Sequence, residues 1–226
     1  MSKNAFIYAT MKICMPTTLA VLNQKGGSGK TTIATNLAYA LKLGGSRVLL
    51  VDADQQGSAR DWNEANGGEL LPVVGLDRET LPKDLQAVAG GYDWVVIDGA
   101  PQIAKLSAAA VRAADVVLIP VQPSPYDIWA CADLVDLVSA RQEATGGLPK
   151  AAFVISRSIK NTRLSGEVAE ALRGYGLPVF SAATTQRVAY PTTASRGGTV
   201  YDEGAGEAAR EIDAIREELE RFAQGA

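Results

Sequence analysis

Seven short apolar runs punctuate the chain, and several are almost uninterrupted Val, Ile and Leu. They are read as strands at Leu19–Leu22, Val48–Asp52, Pro72–Leu76, Trp94–Ile97, Val116–Val121, Phe153–Ile155 and Pro178–Phe180. A strand without polar alternation has both faces covered, the habit of parallel sheets packed between helices. Helical patterns fill the intervals at Thr31–Leu43, Leu81–Ala89, Ile103–Ala113, Ile128–Glu143 and Leu164–Tyr175, and an amphipathic stretch, Glu207–Phe222, closes the chain. This alternation predicts an α/β domain with a doubly wound, mostly parallel sheet and helices on both faces. No linker interrupts the pattern, so residues 18–226 are expected to form one domain, preceded by an extension over 1–17.

Composition narrows the chemistry. At 226 residues and 47% hydrophobic, the chain can bury one sizeable core. It contains no histidine, which removes a His base and a His metal site from consideration. Cys14 and Cys131 are too few and too distant for a disulfide framework or a zinc site, and a reducing cytosol is the simplest setting. No apolar run approaches a bilayer span, and no signal peptide is evident.

Between the first strand and the first helix lies Gly26-Gly27-Ser28-Gly29-Lys30-Thr31-Thr32. Glycines let successive backbone N–H groups converge on phosphate oxygens, and the helix N-terminus adds partial positive charge. In a phosphate loop Lys30 would reach the β- and γ-phosphates and the Thr31 hydroxyl would ligate Mg²⁺. The usual pattern has glycine six positions before the lysine; Gln24 stands there, so the loop is a variant. A second lysine, Lys25, precedes the same glycines and needs its own explanation.

The run Lys25-Gly26-Gly27-Ser28-Gly29-Lys30-Thr31-Thr32 resembles the deviant Walker A motif of the ParA/MinD ATPases. In that family two subunits sandwich two nucleotides, and the first lysine crosses to the partner's ATP. The resemblance implies a P-loop NTPase fold, ATP/ADP and Mg²⁺ as cofactors, and a homodimer formed with ATP. Lys25 would then act in trans and Lys30 in cis. An ordinary solvated loop lysine is the alternative for Lys25.

Two further motifs follow in order. Asp52 and Asp54, in "RVLLVDADQQGSA", emerge on one side at a strand's carboxyl end, where this fold binds ligands. They resemble the family's Walker A′ motif, which implies that Asp54 orients the attacking water and Asp52 sits near the Mg²⁺ shell. Gln55 replaces the family's usual proline, and a turn or helix cap remains an alternative for Asp52. "YDWVVIDGAPQ" reads as a Walker B, with Asp98 a third metal-holding candidate beside Thr31 and Asp52, and Gly99 letting the next segment approach the γ-phosphate.

The stretch "VVLIPVQPSPYDIWA" carries three prolines and is read as an ordered turn after a buried strand. With "ISRSIKNTRL" and "TTQRVAYPTTASRGGTVYD" it resembles the small plasmid partition ATPases of the ParF type, from about residue 18 to the C-terminus. That implies plasmid or chromosome partition, non-specific DNA binding, a ParB-like or ribbon-helix-helix adaptor and a cytoplasmic, nucleoid-associated location. Hydrolysis would be slow and stimulated by a partner. The Glu-rich last helix argues against a membrane surface. Where relatives read adenine with asparagine, Ser156-Arg157 stands here, so the base is expected to meet backbone and the Arg157 region. Arg187 and Arg210 align approximately with DNA-binding positions, and Arg163, Arg196 and Arg216 are candidates for the same face. With a net charge of −3, DNA affinity must come from such a local patch. Salt-bridged arginines, with Glu211, Glu217 and Glu218 nearby, are the competing reading. Two other functions share the fold: an ATPase positioning a protein cargo, and a metabolic enzyme such as a dethiobiotin or cobyrinate synthetase.

Overall fold

A computed structural model of the chain describes residues 15–101, 104–159 and 164–225. Six strands form one parallel sheet: β1 (Thr17–Val21), β2 (Val48–Asp52), β3 (Val73–Gly75), β4 (Trp94–Asp98), β5 (Val116–Val121) and β6 (Lys150–Ile155), in the order β3-β2-β4-β1-β5-β6. The helices are α1 (Lys30–Leu43), α2 (Ser58–Ala65), α3 (Leu81–Val88), α4 (Ala104–Ala113), α5 (Pro125–Trp129), α6 (Ala132–Thr145), α7 (Leu164–Arg173), α8 (Ala189–Ala194) and α9 (Glu207–Gln224), with a 3₁₀ turn at Val200–Glu203. The predicted doubly wound α/β architecture is therefore the one observed.

Strand alternation splits the core in two. On β1, Ala20 and Leu22 join Leu81, Leu85, Ala109, Leu134, Val138 and Leu172 of α3, α4, α6 and α7. Leu19 and Val21 face Ile33, Leu37 and Leu41 of α1, Trp62 of α2, and Ile212, Ile215 and Leu219 of α9. These strands are buried on both sides, which is why their sequences lack alternation. The register brings Asp98 level with both Val21 and Asp52. Three candidate site elements thus end together at one edge of the sheet.

Pro178–Phe180 is not a seventh strand. Phe153 exchanges two backbone hydrogen bonds with Pro178 and Phe180 in an isolated bridge, and the chain returns to the β6 edge only at Thr184, whose N–H bonds Ile155 C=O. Glu218 on α9 then accepts the N–H groups of Ser181 and Ala182, drawing the chain off the sheet edge. Ile128–Glu143 is likewise two helices, broken at Ala130 and Cys131, and the first begins earlier, at Pro125. Only Pro123 and Pro125 fall after β5; Pro120 lies inside it, within the expected strand Val116–Val121. The strand tolerates it because β1 has already diverged: Leu22 N–H bonds Leu118 C=O, and at the next rung the Asn23 side-chain amide, 2.7 Å away, takes the Pro120 carbonyl.

Candidate nucleotide site

The loop leaving β1 is fixed before any ligand arrives. Asn23, buried, braces it at both ends: its Nδ2 donates to Pro120 O, and its Oδ1 accepts Lys25 N–H at 2.8 Å. Gly27 and Gly29 have φ of 74° and 97°, the left-handed region that favours glycine. Three loop carbonyls are tied from outside. Lys30 Nζ takes Lys25 O at 3.0 Å, Gln122 Nε2 takes Gly27 O at 2.6 Å, and Ser156 Oγ takes Ser28 O at 2.7 Å. Among the described residues no acceptor is bonded to the N–H groups of Gly26, Gly27, Ser28 or Gly29. Gly29 begins α1 without a side-chain cap, so the first turn also offers open donors. A row of unpaired N–H groups at a helix N-terminus is a cradle for an anion.

Lys30 is buried, and that burial lowers its ammonium pKa against the opposing pull of Asp98 and Asp54. Its charge is thus set between the phosphate loop and two carboxylates. Burial also pushes the Asp98 carboxyl up to about 7; the Thr31 hydroxyl and Lys30 pull the other way, while Asp52 and Asp54 add to the push. Both Asp98 oxygens are buried, and apart from the neighbouring Thr31 hydroxyl no donor satisfies them. Native structures rarely leave such atoms orphaned without an ion or water to satisfy them. Beside a threonine hydroxyl they fit Mg²⁺, which binds through one or two carboxylates and takes its remaining ligands from water and phosphate. Among the described residues no three carboxylate, thiol or imidazole groups converge into a self-sufficient metal cage.

Asp52 is differently placed. Fully buried, it accepts Asp54 N–H at 3.0 Å, Arg60 N–H at 2.9 Å and the Arg60 Nε at 3.4 Å. Arg60 also reaches Asp54 O and Asp77. The Asp52 carboxylate thus caps the turn leading into α2, and its oxygens are already engaged by the chain. Asp54 projects beyond that turn, half-buried, its Oδ1 accepting Gln56 N–H at 3.0 Å. Gly99 has a steric reason of its own: a Cβ there would stand 2.2 Å from Leu22 Cδ2 and 3.0 Å from Val21 O.

Lys25 turns away from the cradle to its own chain, where its Nζ lies 2.6 Å from Oδ2 of Asp127 on α5. Asp127, Gln122, Asn23 and Arg60 are site residues that sequence reading missed.

A cavity of about 280 Å³ adjoins the cradle at Gly29, Thr32 and Ile33. Its far wall includes Ser156, Arg157, Thr185, Arg187 and Tyr190. Arg157 holds φ 53°, unusual for a side-chain-bearing residue, while its N–H bonds Thr184 Oγ1 at 3.1 Å. Strained backbone of this kind gathers at ligand sites.

The basic face is thinner than the sequence suggests. Arg187 is held by Glu207 at 2.6 Å and Glu211 at 2.8 Å, and belongs to the cavity wall. Arg216 pairs with Glu220 at 2.8 Å and lies near Asp213 and Glu217. Arg163 lies outside the described residues. Arg210 is exposed on α9 and forms no ion pair among the described residues. Among the described residues no helix is long and apolar enough to cross a membrane.

The chain resembles known proteins over most of its length. Residues 19–200 match the model of the CobQ/CobB/MinD/ParA nucleotide binding domain. Maintenance of carboxysome distribution protein A from Halothiobacillus neapolitanus is 33% identical over 208 residues, covering 89% of this chain and 95% of that protein. The chromosome-partitioning ATPase Soj of Thermus thermophilus is 31% identical over 214 residues, 80% of this chain and 86% of Soj. The fold also matches the septum site-determining protein MinD complexed with Mg-ADP from Pyrococcus horikoshii, with TM-score 0.72 and 18% identity over 92% of this chain and 98% of that one. With its phosphate loop, its carboxylates at the strand ends and a family match over most of its length, the chain belongs to the CobQ/CobB/MinD/ParA family of nucleotide-binding proteins.

Proposed function

We propose that this protein is a Mg²⁺-dependent ATPase that dimerises on ATP and uses hydrolysis to position a cargo inside the cell. The observation that carries the reading is the pairing of an open N–H cradle with the orphaned Asp98 carboxylate beside Thr31 and Lys30. Gly26 to Thr32 bind the phosphates, and Arg157 and its neighbours meet the base. Lys30 neutralises charge on the protein's own nucleotide. Thr31 and Asp98 would hold Mg²⁺, which when bound supplies charge neutralisation at the phosphates. Asp52 acts one step back, holding the turn that presents Asp54. Asp54 orients the water and accepts its proton. Lys25 completes the partner subunit's site.

Cargo is chosen by an adaptor, and the relatives point two ways. The similarity to a carboxysome distribution protein, spanning nearly the whole of both chains, favours a protein body as cargo. Among the described residues Arg187 and Arg216 of the expected DNA face are held in ion pairs, which leans the same way. The similarity to Soj keeps partition of plasmid or chromosomal DNA, through a ParB-like or ribbon-helix-helix adaptor, as the second reading. In both, the ATP dimer holds to the nucleoid by non-specific DNA contacts, with Arg210 contributing.

Light scattering with ATP and Mg²⁺, with ADP and Mg²⁺, and with ATP and EDTA tests the switch. A dimer in the first condition alone supports it. One mass in all three removes the ATP-driven dimer.

A further inference from the structure

Glu211, in the second turn of α9, is 13% exposed at its side chain and is surrounded by donors. Its Oε2 accepts Thr185 N–H at 3.0 Å and Tyr190 OH at 2.9 Å. Its Oε1 accepts Thr185 Oγ1 at 2.6 Å and Arg187 Nε at 2.8 Å, and Arg187 Nη2 adds an ion pair at 2.8 Å. Burial raises the carboxyl pKa, and these donors outweigh it, holding the group below its usual value.

Thr185 lies in an isolated bridge to Ser158, Arg187 in the irregular chain after it and Tyr190 on α8, and all three line the cavity beside Gly29 and Thr32. Glu211 is not itself among the cavity-lining residues. Docking α9 does not require this carboxylate, because Ala208, Ala209, Ile212, Ile215 and Leu219 already bury that helix against the sheet layer. Glu218 separately pins Ser181 and Ala182. A buried carboxylate costs free energy unless its oxygens are saturated, and here every donor that saturates it comes from one wall. The cavity, at about 280 Å³, is near the lower end of ligand pockets and suits a nucleoside rather than a whole nucleotide.

We propose that Glu211 is a positioning residue for the nucleoside end of the site, fixing the wall against which the base and ribose of the nucleotide rest. The assignment rests on the nucleotide-binding reading above. It makes a distinction the phosphate loop cannot: Glu211 governs how well the protein tells a nucleotide from a bare polyphosphate.

The test is calorimetric binding of ATP and of inorganic tripolyphosphate, each with Mg²⁺, to the full chain and to Glu211→Gln. The variant keeps the size of the side chain and loses the charge that gathers the donors. ATP binding is expected to weaken about tenfold, with tripolyphosphate binding held within about twofold. Thr185→Val, which removes only the 2.6 Å hydroxyl contact, should shift the same ratio by a smaller factor and serves if Glu211→Gln does not fold. An equal loss for both ligands, or no loss for either, would overturn the proposal, since a helix-docking role changes thermal stability and leaves the ratio alone. Wild-type protein that bound neither ligand would instead overturn the nucleotide reading beneath it.

Discussion

The ammonium of Lys25 lies 2.6 Å from Oδ2 of Asp127, and that carboxylate is 3% exposed while the lysine side chain is 40% exposed. The second Asp127 oxygen is buried and accepts no hydrogen bond. The lysine that would reach across to a partner's nucleotide is therefore held by its own chain. The in-trans action proposed for Lys25 would require this pair to open, so the proposed dimer would compete with an internal contact.

The contact has a stability signature. Lys25→Ala strands Asp127 as a buried charge and should cost about 1–2 kcal/mol in the nucleotide-free protein, a figure reduced for the lysine's exposure. Adding Asp127→Asn should recover most of the loss. Urea unfolding of the two single variants and the double variant checks this; fully additive losses would show that the pair is not coupled.

Lys25 also carries the in-trans assignment. Lys25→Ala should bind nucleotide as a monomer and lose both ATP-dependent dimerisation and turnover, because the cradle from Gly26 to Thr32 is untouched. Asp127→Asn should do the opposite and dimerise at lower ATP, since Lys25 no longer has an internal rival. Sedimentation at graded ATP concentrations separates the two. Normal dimerisation and turnover by Lys25→Ala would place the lysine outside the mechanism.

In the proposed mechanism Lys30 is the cation of the protein's own site; it is buried, with the charges of Asp98 and Asp54 opposing the fall in its pKa. Removing a charge-assisted phosphate contact costs roughly 2–3 kcal/mol, so Lys30→Ala should weaken ATP binding by about 30- to 150-fold and abolish the dimer. Calorimetry that found affinity within a few-fold of wild type would contradict the assignment.

How much of this was legible in the sequence depended on whether a feature was local. Val48–Asp52 and Val116–Val121 were bounded to the residue because continuous apolar runs announce strands covered on both faces. The phosphate loop announced itself because strand, glycines and helix lie within one stretch. α2 was missed because it is short and mostly polar, with only Ala59 and Trp62 of its eight residues buried. α8, "AYPTTA", hides behind a proline and two threonines. The partners of Lys25 and Gly27 lie 102 and 95 residues away, at Asp127 and Gln122. No spacing rule points to such pairs; the sheet order creates them. Arg187 was half legible: Glu211 was named as a possible salt-bridge partner, while Glu207 was not.

That difference yields a prediction for DNA. Arg210→Ala should weaken all DNA sequences alike and reduce the slope of log affinity against log salt by roughly 0.9 for each phosphate that the arginine neutralises. Arg187→Ala should leave that slope unchanged and instead impair nucleotide binding, because its guanidinium braces the cavity wall. Salt titrations of ATP-bound protein on duplex DNA distinguish them. A slope that fell with Arg187→Ala and not with Arg210→Ala would return the DNA face to Arg187.

The central claim is that Asp54, presented by the Asp52–Arg60 turn, activates the water whose attack on ATP undoes the dimer. Asp54→Ala leaves the N–H cradle, Lys30 and Asp98 in place and removes only the carboxylate that orients and deprotonates that water. The direct measurement is the molar mass of this variant by light-scattering chromatography with ATP and Mg²⁺, alongside its phosphate release. The account predicts twice the monomer mass persisting through the column, with turnover at least about 100-fold below wild type. A variant that hydrolyses ATP at the wild-type rate and elutes as a monomer would contradict it.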